Sequence, residues 1–208
     1  MAFTPRFILW IPVLLLLSSC GSFRTEGAEF KLALMDPSEE EAFSSFPEGT
    51  YSLGAVEASL LSGAYSGIDL TFTKEDSANS EYSFIWSLPF DSEDTTWLAL
   101  LEGKGTPVTF TTSDFYDENY VSSQFNLGYK VFADRLDPDS NYHIDYLIFE
   151  AYTIQIDRFE IDEENRLSMS GAFVADTKTD SVIISDAHYS IAGTFSFEDL
   201  DLGLIEVE

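Results

Sequence analysis

Cysteine is almost missing from this chain, with one residue, Cys20, in 208. A lone thiol rules out an intrachain disulfide framework, and two histidines are too few for a multi-histidine metal centre. Positive charge is scarce as well. Ten Lys and Arg stand against 37 Asp and Glu, a net charge of -27, and a chain of that sign repels phosphate backbones. General nucleic-acid binding is therefore excluded. Seven prolines and 12 glycines are too few for a collagenous or low-complexity chain. No phosphate loop or dinucleotide fingerprint occurs, and Gly63-Ala64-Tyr65-Ser66-Gly67 lacks the spacing and setting of a nucleophile elbow.

What is present is a chain 45% hydrophobic and 15% aromatic, which is rich enough to bury a core. Its first twenty residues carry the sharpest signal. Arg6 and the terminal amine precede Phe7 to Leu17 (FILWIPVLLLL), an apolar run too short for a span of about 20 residues, and the small Ser18 and Ser19 follow. Leu17-Ser18-Ser19-Cys20 resembles the lipobox of bacterial lipoproteins. The resemblance implies cleavage before Cys20 and lipidation of its thiol, giving a protein tethered to a membrane by more than one acyl chain. Gly21 stands where an Asp would signal inner-membrane retention, which favours the outer membrane and leaves surface and periplasmic sides open. The expected organisation is a signal peptide over residues 1–19, a lipidated tether over 20–30 and one β-rich domain over 31–208.

Period-two alternation dominates the rest of the chain. Ile68, Leu70 and Phe72 alternate with polar residues, as do Tyr82, Phe84, Trp86 and Leu88, and then Phe125, Leu127, Tyr129 and Val131. From Tyr142 through Ile156 the even positions are apolar except Glu150, so this long strand is expected to bend or bulge. The phase shifts after Asp157 to Phe159 and Ile161. Asp162-Glu163-Glu164-Asn165 predicts a hairpin into Leu167, Met169 and Phe173. The last strands are expected at Val182 to Ile184 and Tyr189 to Phe197, with a bulge at Gly193. Two short helices are predicted, one from Asp36-Pro37 to about Ser45 and one from Ser92 to Glu102, ending before Gly103.

Short strands, turn signals and no βαβ rhythm give an all-β fold, an antiparallel sandwich or partly closed barrel with one or two short helices. Gly49-Thr50-Tyr51-Ser52-Leu53-Gly54 and Ala192-Gly193-Thr194-Phe195-Ser196-Phe197 resemble phrases common in small uncharacterised β-rich lipoproteins of Bacteroidota. No functional residue is carried over from that resemblance.

Two clusters carry candidate chemistry. Asp137, Asp139 and Asn141, followed by Asp145, alternate oxygen side chains as the start of an EF-hand does and form a candidate Ca²⁺ site. Tyr142 in place of the sharp-turn glycine and Ile148 in place of the bidentate acid fit a solvated hairpin turn better. Phe115, Tyr116, Asp117, Glu118 and Tyr120 interleave rings with acids, which suits stacking on a sugar face and bonding its hydroxyls; buried rings with an acidic rim produce the same pattern. His143 and His188 read as sheet histidines without a partner motif.

No catalytic residue is assigned. The expectation is a non-enzymatic, lipid-anchored envelope protein whose loops bind a ligand or partner, with carbohydrate favoured. Alternatives are an assembly subunit or fimbria-like polymer joined by strand addition, and thirdly a carboxylate-dependent glycoside hydrolase.

Overall fold

A computed structural model describes residues 27–35, 45–63, 66–90, 93–112, 124–133, 142–177 and 188–207. They form strands β1 (Gly27–Leu34), β2 (Gly49–Leu53), β3 (Ala55–Gly63), β4 (Ser66–Ser77) and β5 (Ser80–Phe90), then helix α1 (Thr95–Leu101). Strands β6 (Val108–Thr111), β7 (Gln124–Phe132), β8 (Tyr142–Ile161), β9 (Arg166–Thr177) and β10 (Tyr189–Val207) follow. The fold is all-β. The first expected helix and the expected strand at Val182 to Ile184 lie outside the described residues, apart from Ser45 at the helix end.

One half of the structure runs β2-β1-β10-β9-β8-β6 and the other β10-β3-β4-β5-β7-β8, so β8 and β10 belong to both. A strand shared between two packed sheets must turn a corner, and bulges are what turn it. In β8 the register shifts between Phe149 and Ala151 and again between Ile156 and Arg158. In β10 it shifts between Phe197 and Leu200, where Asp199 takes φ 55°. The pairing closes on itself through β9, which joins β8 to β10.

The ladder is antiparallel except where Leu202–Val207 of β10 runs parallel to Ala58–Gly63 of β3. Direction dictates this. Both β2 and β10 are antiparallel to β1, and β3 continues from β2 after Gly54 alone, so β3 and β10 point the same way. The phrases at residues 49–54 and 192–197 meet here, because β2 and β10 flank β1 on opposite sides. Phe30 pairs with both Tyr51 and Gly193.

The core is aromatic. Ile68, Leu70, Phe72, Phe84, Trp86, Leu88, Phe125 and Leu127 are buried, as their alternation predicts. Trp86 lies at its centre, with ring centroids of Phe72, Phe84, Phe125, Phe173 and Phe195 between 4.6 and 5.8 Å away. The sheet begins at Gly27, so residues 27–30 of the expected tether belong to β1. Ala28 and Phe30 are buried on its inner face, Phe30 against the rings of Tyr51, Phe84 and Phe173.

Three local expectations change. Helix α1 starts at Thr95, because the Asp94 carboxylate caps it by accepting from the backbone N–H groups of Thr96 and Trp97 at 2.8 and 2.9 Å. Gly193 is no bulge: it pairs regularly between Phe30 and Phe173, and a Cβ there would fall 2.3 Å from the Glu29 carbonyl and 2.4 Å from Phe30 Cβ. His188 precedes β10 instead of lying in it, and its carbonyl accepts from Met35 N–H at 2.7 Å. The hairpin at residues 162–165 forms as expected. Asp162 accepts from the N–H groups of Glu164 and Arg166 at 3.0 and 2.8 Å, and Asn165 takes the turn's φ of 59°.

Candidate ligand-binding surface

The first half of β8 faces opposite to what its apolar alternation suggests. Leu147 and Phe149 are buried, whereas Tyr142 and Ile148 are 59% and 43% exposed, and Ile144 and Tyr146 are half-buried. The bulge after Phe149 explains it. Ile154 and Ile156 beyond the bulge point inward, and one extra residue reverses the phase, so the even residues before it point out. An apolar stripe thus lies on the outside of the sheet.

Strands β7 and β5 extend this surface. Across the ladder Phe132 pairs with Tyr142, Lys130 with Ile144, Gly128 with Tyr146 and Asn126 with Ile148; Ser83 and Ile85 lie beyond Gly128 and Asn126. The Phe132 and Tyr142 ring centroids are 6.4 Å apart at 57°. Lys130 Nζ sits 4.6 Å from one ring centre and 4.2 Å from the other, an attraction between cation and ring faces. Lys104, Arg158 and Arg166 instead lie within 3.1 Å of carboxylates.

Glycine at 128 makes room for the tyrosine beside it. A Cβ there would approach Tyr146 Cε1 to 3.2 Å and Ser83 Oγ to 2.8 Å. Next along the strand, Asn126 Oδ1 is buried and has no hydrogen-bond partner among the described residues. The surface therefore combines ring faces, an ammonium and hydroxyls on one face of the sheet.

A second polar cluster closes the inner end of the same strands. Asp145 pairs across the ladder with Tyr129, and Tyr129 with Tyr82. The Tyr82 and Tyr129 ring centroids are 4.7 Å apart, and Tyr82 meets Tyr51 edge-on at 5.1 Å. Residues 45–48 cross this end as a strap. Tyr82 donates to the Ser45 carbonyl at 3.1 Å, Tyr51 to the Pro47 carbonyl at 2.8 Å, and Phe46 is fully buried. Burial pushes the Tyr51 and Tyr82 hydroxyls above the usual phenol range, so both stay neutral donors.

Asp145 ties the strap to β8. Its Oδ2 accepts from Ser45 Oγ, and its Oδ1 lies 2.8 Å from His143 Nε2. The carboxylate stands between hydroxyl and imidazole, whereas a serine nucleophile needs the imidazole beside the hydroxyl. The arrangement is a tie. The Ser45 hydrogen bond, followed by His143, holds the Asp145 pKa below the usual carboxylate range.

A carboxylate whose pKa is lower in the folded than in the unfolded state contributes stability above its unfolded pKa and loses it as pH falls through the folded one. Asp145→Asn is therefore expected to lower the midpoint of thermal unfolding at pH 7, and the gap from wild type is expected to close under acid. Melting curves from pH 7 to pH 2 test this; a constant gap would contradict it.

Of the residues singled out in the sequence, Phe115, Tyr116, Asp117, Glu118 and Tyr120 lie outside the described residues, as do Asp137, Asp139, Asn141 and Cys20. Asp145 is described, and both of its oxygens are engaged by Ser45 and His143. Among the described residues no group of three or more His, Cys, Asp or Glu side chains could hold a metal ion. The residues that sequence reasoning missed are Phe132, Lys130 and Tyr146; the signal for Tyr146 was the apolar even positions of β8, whereas Lys130 and Phe132 lie in β7 and gave none. No protein-family model, curated protein or solved structure matches the chain.

Proposed function

We propose that this chain is a lipid-anchored cell-envelope protein that binds carbohydrate on the outer face of β5, β7 and β8. The observation that carries the reading is the outward-facing group of Tyr142, Phe132 and Lys130, continued by Tyr146 over Gly128. Rings offer flat apolar faces to a sugar ring, and the ammonium and the Ser83 hydroxyl beside them can bond its hydroxyls. Anchoring rests on Leu17-Ser18-Ser19-Cys20, with Cys20 as the lipidated residue and the outer membrane as destination. Recognition then falls to a sheet face instead of the loop at residues 113–120, with no catalytic residue.

The anchor is tested by metabolic acyl labelling in the native host. Wild type is expected to take up label and Cys20→Ala none; equal labelling would overturn this half of the proposal. The binding half is tested by screening a glycan array with the chain from Ser22 onward, which holds every described element. Binding to a defined subset of glycans supports it, and a blank array counts against it.

A second reading, assembly by strand pairing between copies, draws on the exposure of Leu204 (75%) and Ile205 (45%) in the segment of β10 that pairs with β3. Sedimentation over a hundredfold concentration range separates the two. The carbohydrate reading expects a constant monomer, and growth of a polymer favours assembly.

A further inference from the structure

We infer that the Phe132–Tyr142 surface is held at the end of the molecule far from the bilayer, so that its partner is a polysaccharide reached from the aqueous side and not a lipid of the anchoring membrane. The inference rests on the lipid-anchor and carbohydrate readings and adds a direction to them. If Cys20 carries the lipid, six residues separate it from Gly27, and the seven Cα-to-Cα steps reach at most about 25 Å when fully extended. The start of β1 is therefore the end nearest the membrane.

Strand register then orders the rest of the molecule. Gly27, Ser196, Ser170 and Arg158 form one row across β1, β10, β9 and β8, and the hairpin at residues 162–165 lies just beyond it. The other end of β1, about 23 Å away at roughly 3.3 Å per residue, brings Leu34 against Tyr189, and Tyr189 N–H donates to Thr177 Oγ1 at 2.9 Å. Thr177 pairs with Phe149. From Phe149 back to Tyr142, β8 runs along β7 to the end where Phe132 N–H donates to the Asn79 carbonyl at 2.8 Å.

The strap fixes the same polarity independently, since Glu48 accepts from Leu34 N–H at 2.8 Å while Ser45 bonds Asp145. The row holding Phe132 and Tyr142 thus lies past the far end of β1. A net charge of -27 opposes laying the body flat on an anionic bilayer.

The test is resonance energy transfer from the lipidated full-length protein to an acceptor lipid in phosphatidylcholine vesicles containing phosphatidylglycerol. Acylation consumes the native thiol, so Asn79→Cys and Glu163→Cys each give one site for a donor dye, at the far turn and the near hairpin. Strong transfer from position 163 and weak transfer from position 79 are expected. Equal or reversed transfer in vesicle-bound protein would overturn the inference and leave the anchor intact. Protein that neither carries acyl chains nor floats with the vesicles would overturn the anchor reading, and this inference with it.

Discussion

Trp86→Ala is expected to destabilise the protein by about 4 kcal/mol, a large share of the roughly 5–15 kcal/mol that holds a typical domain together. The side chain is fully buried, and five rings from both halves of the structure surround it. Rings that are fixed by their own strands close only partly over the void, so the loss includes a cavity term beyond the lost transfer energy. Trp86→Phe separates packing from hydrogen bonding. Trp86 Nε1 is buried with no hydrogen-bond partner among the described residues, so phenylalanine sheds some volume and also an unsatisfied donor. Its net cost is expected to stay below about 1 kcal/mol. Chemical denaturation followed by far-ultraviolet circular dichroism measures both; a mild alanine variant would mean the two halves do not share this core.

Gly193→Val is expected to cost about 3 kcal/mol or more, and at 37 °C to leave little folded protein. The first atom of any side chain there meets the Glu29 carbonyl and Phe30 Cβ at under 2.5 Å, and neither can move without shifting β1. Phe30 is also bound on its other side, stacked on Tyr51 with ring centroids 5.2 Å apart. Thr194→Val, one residue along and exposed, is the control and is expected to change stability by less than about 0.5 kcal/mol. Equal effects at the two positions would contradict the close approach of β1 and β10.

Alternation identified the strands well wherever one face is covered and the strand stays in one sheet, as in β4 and β5. In β8 it correctly required a bend or bulge, but it left the buried face of the first half open for a physical reason. Period two tells which residues share a face, but not which face is buried, and Tyr142, Ile144, Tyr146 and Ile148 are more apolar than the inward set of His143, Asp145, Leu147 and Phe149. The inward choice is made by the bulge after Phe149 and by partners remote in sequence. Ser45, a hundred residues away, binds Asp145 at the inner end. Gly193 was ambiguous in the same way, because a strand glycine marks either a bulge or a close approach, and only the neighbouring Phe30 decides. The candidate surface was half legible: its β8 residues stood out as apolar, whereas Lys130 and Phe132 acquire their meaning only from pairing with Ile144 and Tyr142.

The claim that the outer face of β7 and β8 recognises carbohydrate is tested most directly by one set of dissociation constants. A glycan that binds the wild-type chain is titrated against Tyr142→Ala and Phe115→Ala, with circular dichroism confirming that both variants fold. Tyr142 is exposed, so its loss spares the core, and removal of one stacking ring is expected to weaken binding about tenfold. Phe115→Ala is expected to leave the affinity within about twofold, under 0.5 kcal/mol. Unchanged affinity in Tyr142→Ala, or a loss confined to Phe115→Ala, would contradict the account.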